Sequence, residues 1–174
     1  MKKSLWVLSF CICAYSSFAQ YDLKKQLQLN LGVGMTNFGA MEYLGADYGL
    51  HRDITIGLAF HHRSATETYT KLKIAGGQFT VNYHLNHLFK FEEEKCDMYI
   101  GPYFDYWLAA PDYKQLKPDS ASIGYGVQFG VRHYFSQHLG FLFELQGGAL
   151  KNKAYLVHDP SISGALKLGL TYRF

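Results

Sequence analysis

Through most of its length the chain repeats one pattern, an apolar residue followed by a small or polar one. Near the start, Leu27, Leu29, Leu31, Val33 and Met35 alternate with Gln26, Gln28, Asn30, Gly32 and Gly34. At the end, Ile162, Gly164, Leu166, Leu168, Leu170, Tyr172 and Phe174 alternate with Ser163, Ala165, Lys167, Gly169, Thr171 and Arg173. A period of two belongs to a β-strand, whose successive side chains point to opposite faces. The chain therefore reads as all-β, with two unlike faces.

The same reading divides the chain into eight strands. They run over Gln26 to Met35, Met41 to Leu50, Ile54 to His61, a stretch ending at Leu85, Met98 to Leu108, Ser122 to Phe135, Leu139 to Leu150, and Ile162 to the end. Connections rich in Asn, Gly, Asp and Pro separate them. The fifth strand is the irregular one. It is aromatic on both faces, and Pro102 either weakens it or marks a bulge, because proline cannot donate to a sheet ladder. Long polar loops are expected at His62 to Thr70, Ala109 to Ser120 and Lys151 to Pro160. Short turns are expected after strands two and six. The connection Asn86 to Cys96, with its acidic run Glu92-Glu93-Glu94, departs from this long-and-short rule.

The N-terminus has another character. Lys2 and Lys3 precede an apolar run from Leu5 to Ala14, and Ser17 and Ala19 sit where a signal peptidase needs small residues. Residues 1–19 are expected to be a cleaved signal peptide, and residues 20–174 one barrel domain. Cys11 and Cys13 would leave with the signal, so Cys96 alone remains and no disulfide framework is possible. Without Lys2 and Lys3 the balance is 15 basic to 14 acidic residues. That speaks against nucleic acid as a partner, since nucleic-acid binders carry a basic stripe.

Eight alternating strands describe either a soluble lipocalin-like barrel or a membrane barrel, which are inside-out versions of each other. Three features favour the membrane. The polar face is rich in Gly, Gln, Asn and Thr rather than Lys and Glu, as suits the packed lumen of a small barrel. Its few charges, Asp47, Asp105, Arg132, Glu144, Lys167 and Arg173, have both signs and are expected to form an interior polar network. Aromatic residues gather near strand ends, as in interfacial girdles. The expected fold is an eight-stranded antiparallel up-and-down transmembrane β-barrel.

The ending Lys167-Leu168-Gly169-Leu170-Thr171-Tyr172-Arg173-Phe174 resembles the C-terminal assembly signal of bacterial outer-membrane proteins, with Lys167, Gly169, Tyr172 and Phe174 at its characteristic positions. In length and strand count the chain resembles the small outer-membrane barrels of the OmpX and OmpA-transmembrane-domain type. The resemblance implies a multi-pass barrel in the outer membrane of a Gram-negative cell envelope. It implies recognition by the barrel-assembly machinery and contact with outer-membrane lipid and lipopolysaccharide. No second, periplasmic domain is expected.

No catalytic motif emerges, no cofactor is implied, and the expected role is structural or surface-interacting. Two alternatives come from other classes: a lipid A-modifying outer-membrane enzyme, and a secreted soluble barrel that binds an apolar ligand. The enzyme would need a His with a Ser and a carboxylate at one rim; His61 or His158 with Ser64, Ser161, Ser163 or Glu67 are the candidates. A metal would need three converging ligands. His61 and His62 are adjacent on a strand and point apart, while His84, His87, His133 and His138 gather towards one end. Tyr69, Tyr113 and Tyr155 lie in the long loops, where exposed tyrosines serve recognition.

Overall fold

A computed structural model describes residues 23–37, 39–67, 70–89, 95–111, 121–152 and 161–174. The expected signal segment and its cleavage site lie outside the described residues. So do Tyr69, Tyr113, Tyr155, His158 and the run Glu92 to Glu94. Eight strands follow in order: β1 (Leu27–Thr36), β2 (Gly39–His51), β3 (Ile54–Glu67), β4 (Thr70–His84), β5 (Cys96–Pro111), β6 (Ala121–Tyr134), β7 (Leu139–Asn152) and β8 (Ser161–Arg173). One helical turn, α1 (Asn86–Phe89), lies in the connection from β4 to β5. Every strand pairs antiparallel with its sequence neighbours, and β8 returns to β1 from Gln28↔Arg173 to Thr36↔Ala165. The result is a closed up-and-down barrel.

The two faces settle which way round the barrel is built. On β1, Leu27, Leu29, Leu31, Val33 and Met35 are exposed, while Gln28 and Asn30 are buried. Leu58 on β3 is 68% exposed, whereas Arg132 on β6 is 1% exposed. A soluble barrel buries its leucines and exposes its charges, so the apolar-ligand alternative is overturned. An outward apolar band around a polar lumen is the arrangement of a membrane barrel.

Several strands run beyond their expected limits. Pairing of β3 with β4 continues through Arg63↔Ile74 and Ser64↔Lys73 to Glu67↔Thr70, where a loop from His62 was expected. Likewise β5 reaches Pro111, opposite Leu72. Apolar alternation marks only the stretch that faces lipid. The backbone ladder needs no such pattern and carries on past it, which period counting does not detect. Pro102 makes neither a bulge nor a strand end. Pairing of β4 with β5 is missing between Thr80↔Tyr103 and Tyr83↔Ile100, but the register is the same on both sides. Pairing with β6 is unbroken through Pro102↔Val127.

The double aromatic face of β5 has a packing explanation. Ile100, Phe104, Tyr106 and Leu108 point outward, and Tyr99 and Tyr103 point into the lumen. Space for the inner rings comes from glycines across the barrel wall. Gly130 lies opposite Tyr99, and a Cβ there would collide with the Tyr99 ring. A Cβ on Gly148 would come within 2.8 Å of the Tyr103 hydroxyl. At the end of the barrel where β1 begins and β8 ends, Leu23 folds inward and is buried. Its turn is tied to β2 by Lys25 N–H donating to Gly49 C=O at 2.8 Å and Gly49 N–H donating to Gln26 C=O at 2.9 Å.

Gly130→Leu is therefore expected to destabilise the barrel by about 1–3 kcal/mol through overpacking against Tyr99. Gly147→Ala, on the outer wall with nothing within 4 Å of the new methyl, is expected to change stability by no more than about 0.5 kcal/mol. Urea unfolding in lipid vesicles compares the two.

Candidate functional site in the charged lumen

The inward positions of eight strands converge on a lumen filled with polar side chains. Its centre is Arg132 of β6. The Arg132 guanidinium pairs with Asp47 of β2 through Nη2 and with Asp97 of β5 through Nη1, the latter at 3.1 Å. It also lies over the Tyr99 ring, with Cζ 4.4 Å from the ring centre. Asp47 accepts a second hydrogen bond from Asn30 Nδ2 at 2.7 Å. A buried guanidinium is stable only when its charge and its donors are matched, and two carboxylates and an aromatic face provide that.

From Asp97 the network continues to the imidazole of His84. Asp97 Oδ1 lies 2.5 Å from His84 Nδ1, and His84 Nε2 lies 3.0 Å from Thr55 Oγ1. Asn86, at the start of α1, donates to the same carboxylate at 3.3 Å and accepts from Met98 N–H at 2.9 Å. The helical turn is thereby locked to the first residues of β5.

A second charged group sits alongside. Lys167 of β8 pairs with Glu144 of β7 at 2.8 Å and donates to Gln78 Oε1 at 2.7 Å. Tyr99 Oη donates to Glu144 Oε2 at 2.7 Å, joining this group to the Arg132 cluster. Gln78 donates to Asp105 at 2.7 Å, and Gln128 donates to Asn82 at 2.7 Å. Gln146 Nε2 lies within hydrogen-bond reach of Gln128, Gln78 and Glu144. Among the described residues these side chains form one connected polar core.

Of the six charges expected to form a network, Asp47, Arg132, Glu144 and Lys167 meet in two ion-paired groups. Asp105 joins through the amide of Gln78 and makes no ion pair among the described residues. Arg173 stands apart at the rim. It donates to the Gln137 carbonyl at 2.7 and 3.0 Å and lies over Tyr134 at 4.3 Å. Position on the inward face put Arg173 in the network, but it is the last residue of β8 and lies at the barrel end. The four residues of the expected assembly pattern divide between the two faces. Lys167 and Gly169 point inward, with Gly169 beside the Tyr43 hydroxyl. Tyr172 and Phe174 are exposed, their rings 4.8 Å apart.

Sequence reading missed His84, Asp97, Tyr99 and the glutamines. Asp97 was missed because the fifth strand was begun two residues late, at Met98 instead of Cys96. Gln78, Gln128 and Gln146 were visible as inward positions, but neutral amides carry no signal that separates a core from a surface. The histidines do not converge. His61 faces inward and His62 outward, beside Glu42 at 3.5 Å. His84 is in the lumen, His87 is paired with Asp53 at 3.4 Å, and His138 stacks on Tyr172. Among the described residues no three His, Cys, Asp or Glu side chains are placed to hold a metal.

The line Thr55–His84–Asp97 has the order of a nucleophile, a base and an orienting carboxylate. Each member is buried to within 1%, and Arg132 holds the other carboxylate oxygen. All three side chains face the lumen, away from the lipid-facing wall.

No family model matches the sequence, and no curated protein matches it. Solved structures do. The N-terminal β-barrel domain of Pseudomonas aeruginosa OprF superposes with a TM-score of 0.62 at 12% identity, covering 87% of this chain and 98% of that one. The outer-membrane protein OprG of the same organism gives 0.61 at 11% identity, covering 90% and 99%. Neisserial surface protein A gives 0.54 at 18% identity, covering 86% and 95%. The chain thus has the fold of the small eight-stranded outer-membrane barrels.

Arg132→Met strands Asp47 and Asp97 without their cation. It is expected to cost about 3–5 kcal/mol, the usual penalty for breaking a buried pair from one side. Adding Asp47→Asn and Asp97→Asn should recover a large part of that loss. Denaturant midpoints of the single and triple variants are the measurement.

Proposed function

We propose that this outer-membrane-type barrel is an integral, non-enzymatic component of a bacterial outer membrane, with a structural or surface-interaction role. The observation that carries the reading is the inverted facing, with leucines exposed at Leu31, Leu44 and Leu58 and charges sealed inside at Asp97 and Arg132. Fold likeness by itself names no function, since one barrel architecture hosts many. What remains available for function is the outer wall and the strand ends. On this reading, outer-membrane lipid and lipopolysaccharide are the partners of the wall. The barrel-assembly machinery is the partner of the β8 pattern at Lys167, Gly169, Tyr172 and Phe174.

The lumen supports the non-enzymatic reading. Its best nucleophile geometry, at Thr55, is buried, and Asp47, Asp97 and Glu144 are held in ion pairs with Arg132 and Lys167 rather than turned toward a substrate. A lipid A-modifying enzyme would need a reactive hydroxyl on the lipid side of the wall or at an open rim.

The protein is expected to fractionate with outer membranes and to migrate differently on a gel before and after boiling, because a closed ladder offers no edge from which detergent can open it. Recovery in the soluble periplasmic fraction with no heat-dependent shift would sink the reading. Lipid A mass spectra from cells with and without the protein should show the same acylation pattern. A change that disappears in Thr55→Val would instead make the buried relay an active site.

A further inference from the structure

We infer that the lumen binds ordered water at the closing seam of the barrel, between Arg132 and the β1–β8 ladder. Asn30 of β1 and Thr171 of β8 are register partners there, and both side chains are buried in the lumen. Among the described residues, Asn30 Oδ1 and Thr171 Oγ1 make no hydrogen bond. Two tyrosine hydroxyls arrive at the same place. The position beside Thr171 on β7 is Gly140, and the Tyr134 ring of β6 lies against it, which brings the Tyr134 hydroxyl up to Thr171. From the row above, Tyr43 Oη reaches Gly32 and Gly169, the next inward pair of the same ladder. Tyr43 and Tyr134 are both buried, and neither hydroxyl closes a hydrogen bond among the described residues.

Arg132 closes the site from the lumen side. Its two Nη atoms are taken up by Asp47 and Asp97, while Nε has no acceptor among the described residues. The Asn30 amide stands at this guanidinium, since Asp47 Oδ2 accepts from both Asn30 Nδ2 and Arg132 Nη2. The open atoms are therefore one N–H, three hydroxyls and one amide oxygen. Buried polar atoms are costly when left bare, and an internal water commonly serves about three of them at once. The chemistry of the set selects water over an ion. Asn30 Oδ1 needs a donor, which a halide lacks. The guanidinium charge is already matched by two carboxylates, so an anion gains no counter-charge, and a cation would meet Nε–H. Water is neutral, donates and accepts. It ties β1 and β8 to Arg132 and so couples closure of the wall to the centre of the charged core. The site lies inside the barrel and does not rest on the membrane reading above.

The test is a crystal structure of the full chain folded in detergent, at a resolution that shows ordered solvent. The expected result is a solvent peak within about 2.7–3.2 Å of at least three of Asn30 Oδ1, Thr171 Oγ1, Tyr134 Oη, Tyr43 Oη and Arg132 Nε. Direct pairing of these atoms with one another, with no peak between them, overturns the site. A crystal soaked in sodium bromide should show no anomalous signal there; a bromide peak would make the site an anion site and overturn the assignment to water. The double variant Tyr134→Phe with Thr171→Val removes two hydroxyls with little change of shape and should lose the peak. Thr80→Val, a buried lumen threonine on β4, should keep it. A peak that survives in the double variant, or that Thr80→Val removes equally, defeats the role given to the seam hydroxyls. The unaltered chain decides the main question even if the double variant does not fold.

Discussion

The structure depends first on the ladder between β1 and β8. Without it the chain is an open sheet with two rows of unpaired amides, and in hydrocarbon each unpaired group costs several kcal/mol. With it, the wall has no free edge. The nine paired positions from Gln28↔Arg173 to Thr36↔Ala165 join the two ends of a chain whose other strand pairings are all between sequence neighbours. Closure also creates the lumen, and every polar interaction inside follows from that enclosure.

The lumen has to be filled, and its contents follow from what a narrow enclosed space allows. Small barrels are filled by side chains rather than by solvent. Glycines on one strand make room for tyrosines on the next, as Gly130 does for Tyr99. The remaining volume goes to charges and amides that satisfy one another. Arg132 sits at the centre because a planar guanidinium can meet Asp47, Asp97 and the Tyr99 ring from one position. Such a core stabilises less than an apolar one of the same volume, but removing a single member leaves a charge uncompensated.

Function is pushed outward by the same arrangement. On the proposed reading, a packed polar lumen leaves the wall and the rims as working surfaces. Thr55, His84 and Asp97 form a hydrogen-bonded line on the buried side of the same wall.

Much of this was legible in the chain itself. Alternation at β1 and β8 determined the strands and the two faces, because a period of two is a direct consequence of strand geometry. The mild, mixed-sign composition of the polar face pointed to an interior, since water-facing strands carry more charge. Strand ends were less legible. The β3–β4 hairpin extends to Glu67 and Thr70 on backbone pairing that no side-chain pattern announces. Membership of the core was legible only in part. Asp47, Arg132, Glu144 and Lys167 stood out as charges on the inner face, while His84, Gln78 and Gln128 looked like any other polar residues. Which charge meets which was decided by tertiary structure alone, because the stagger of eight strands sets which inward positions share a level. Asp97 is Arg132's register partner on the neighbouring strand β5, the stagger brings Asp47 to it from β2 across the lumen, and Arg173, on the same inner face, lies at the rim.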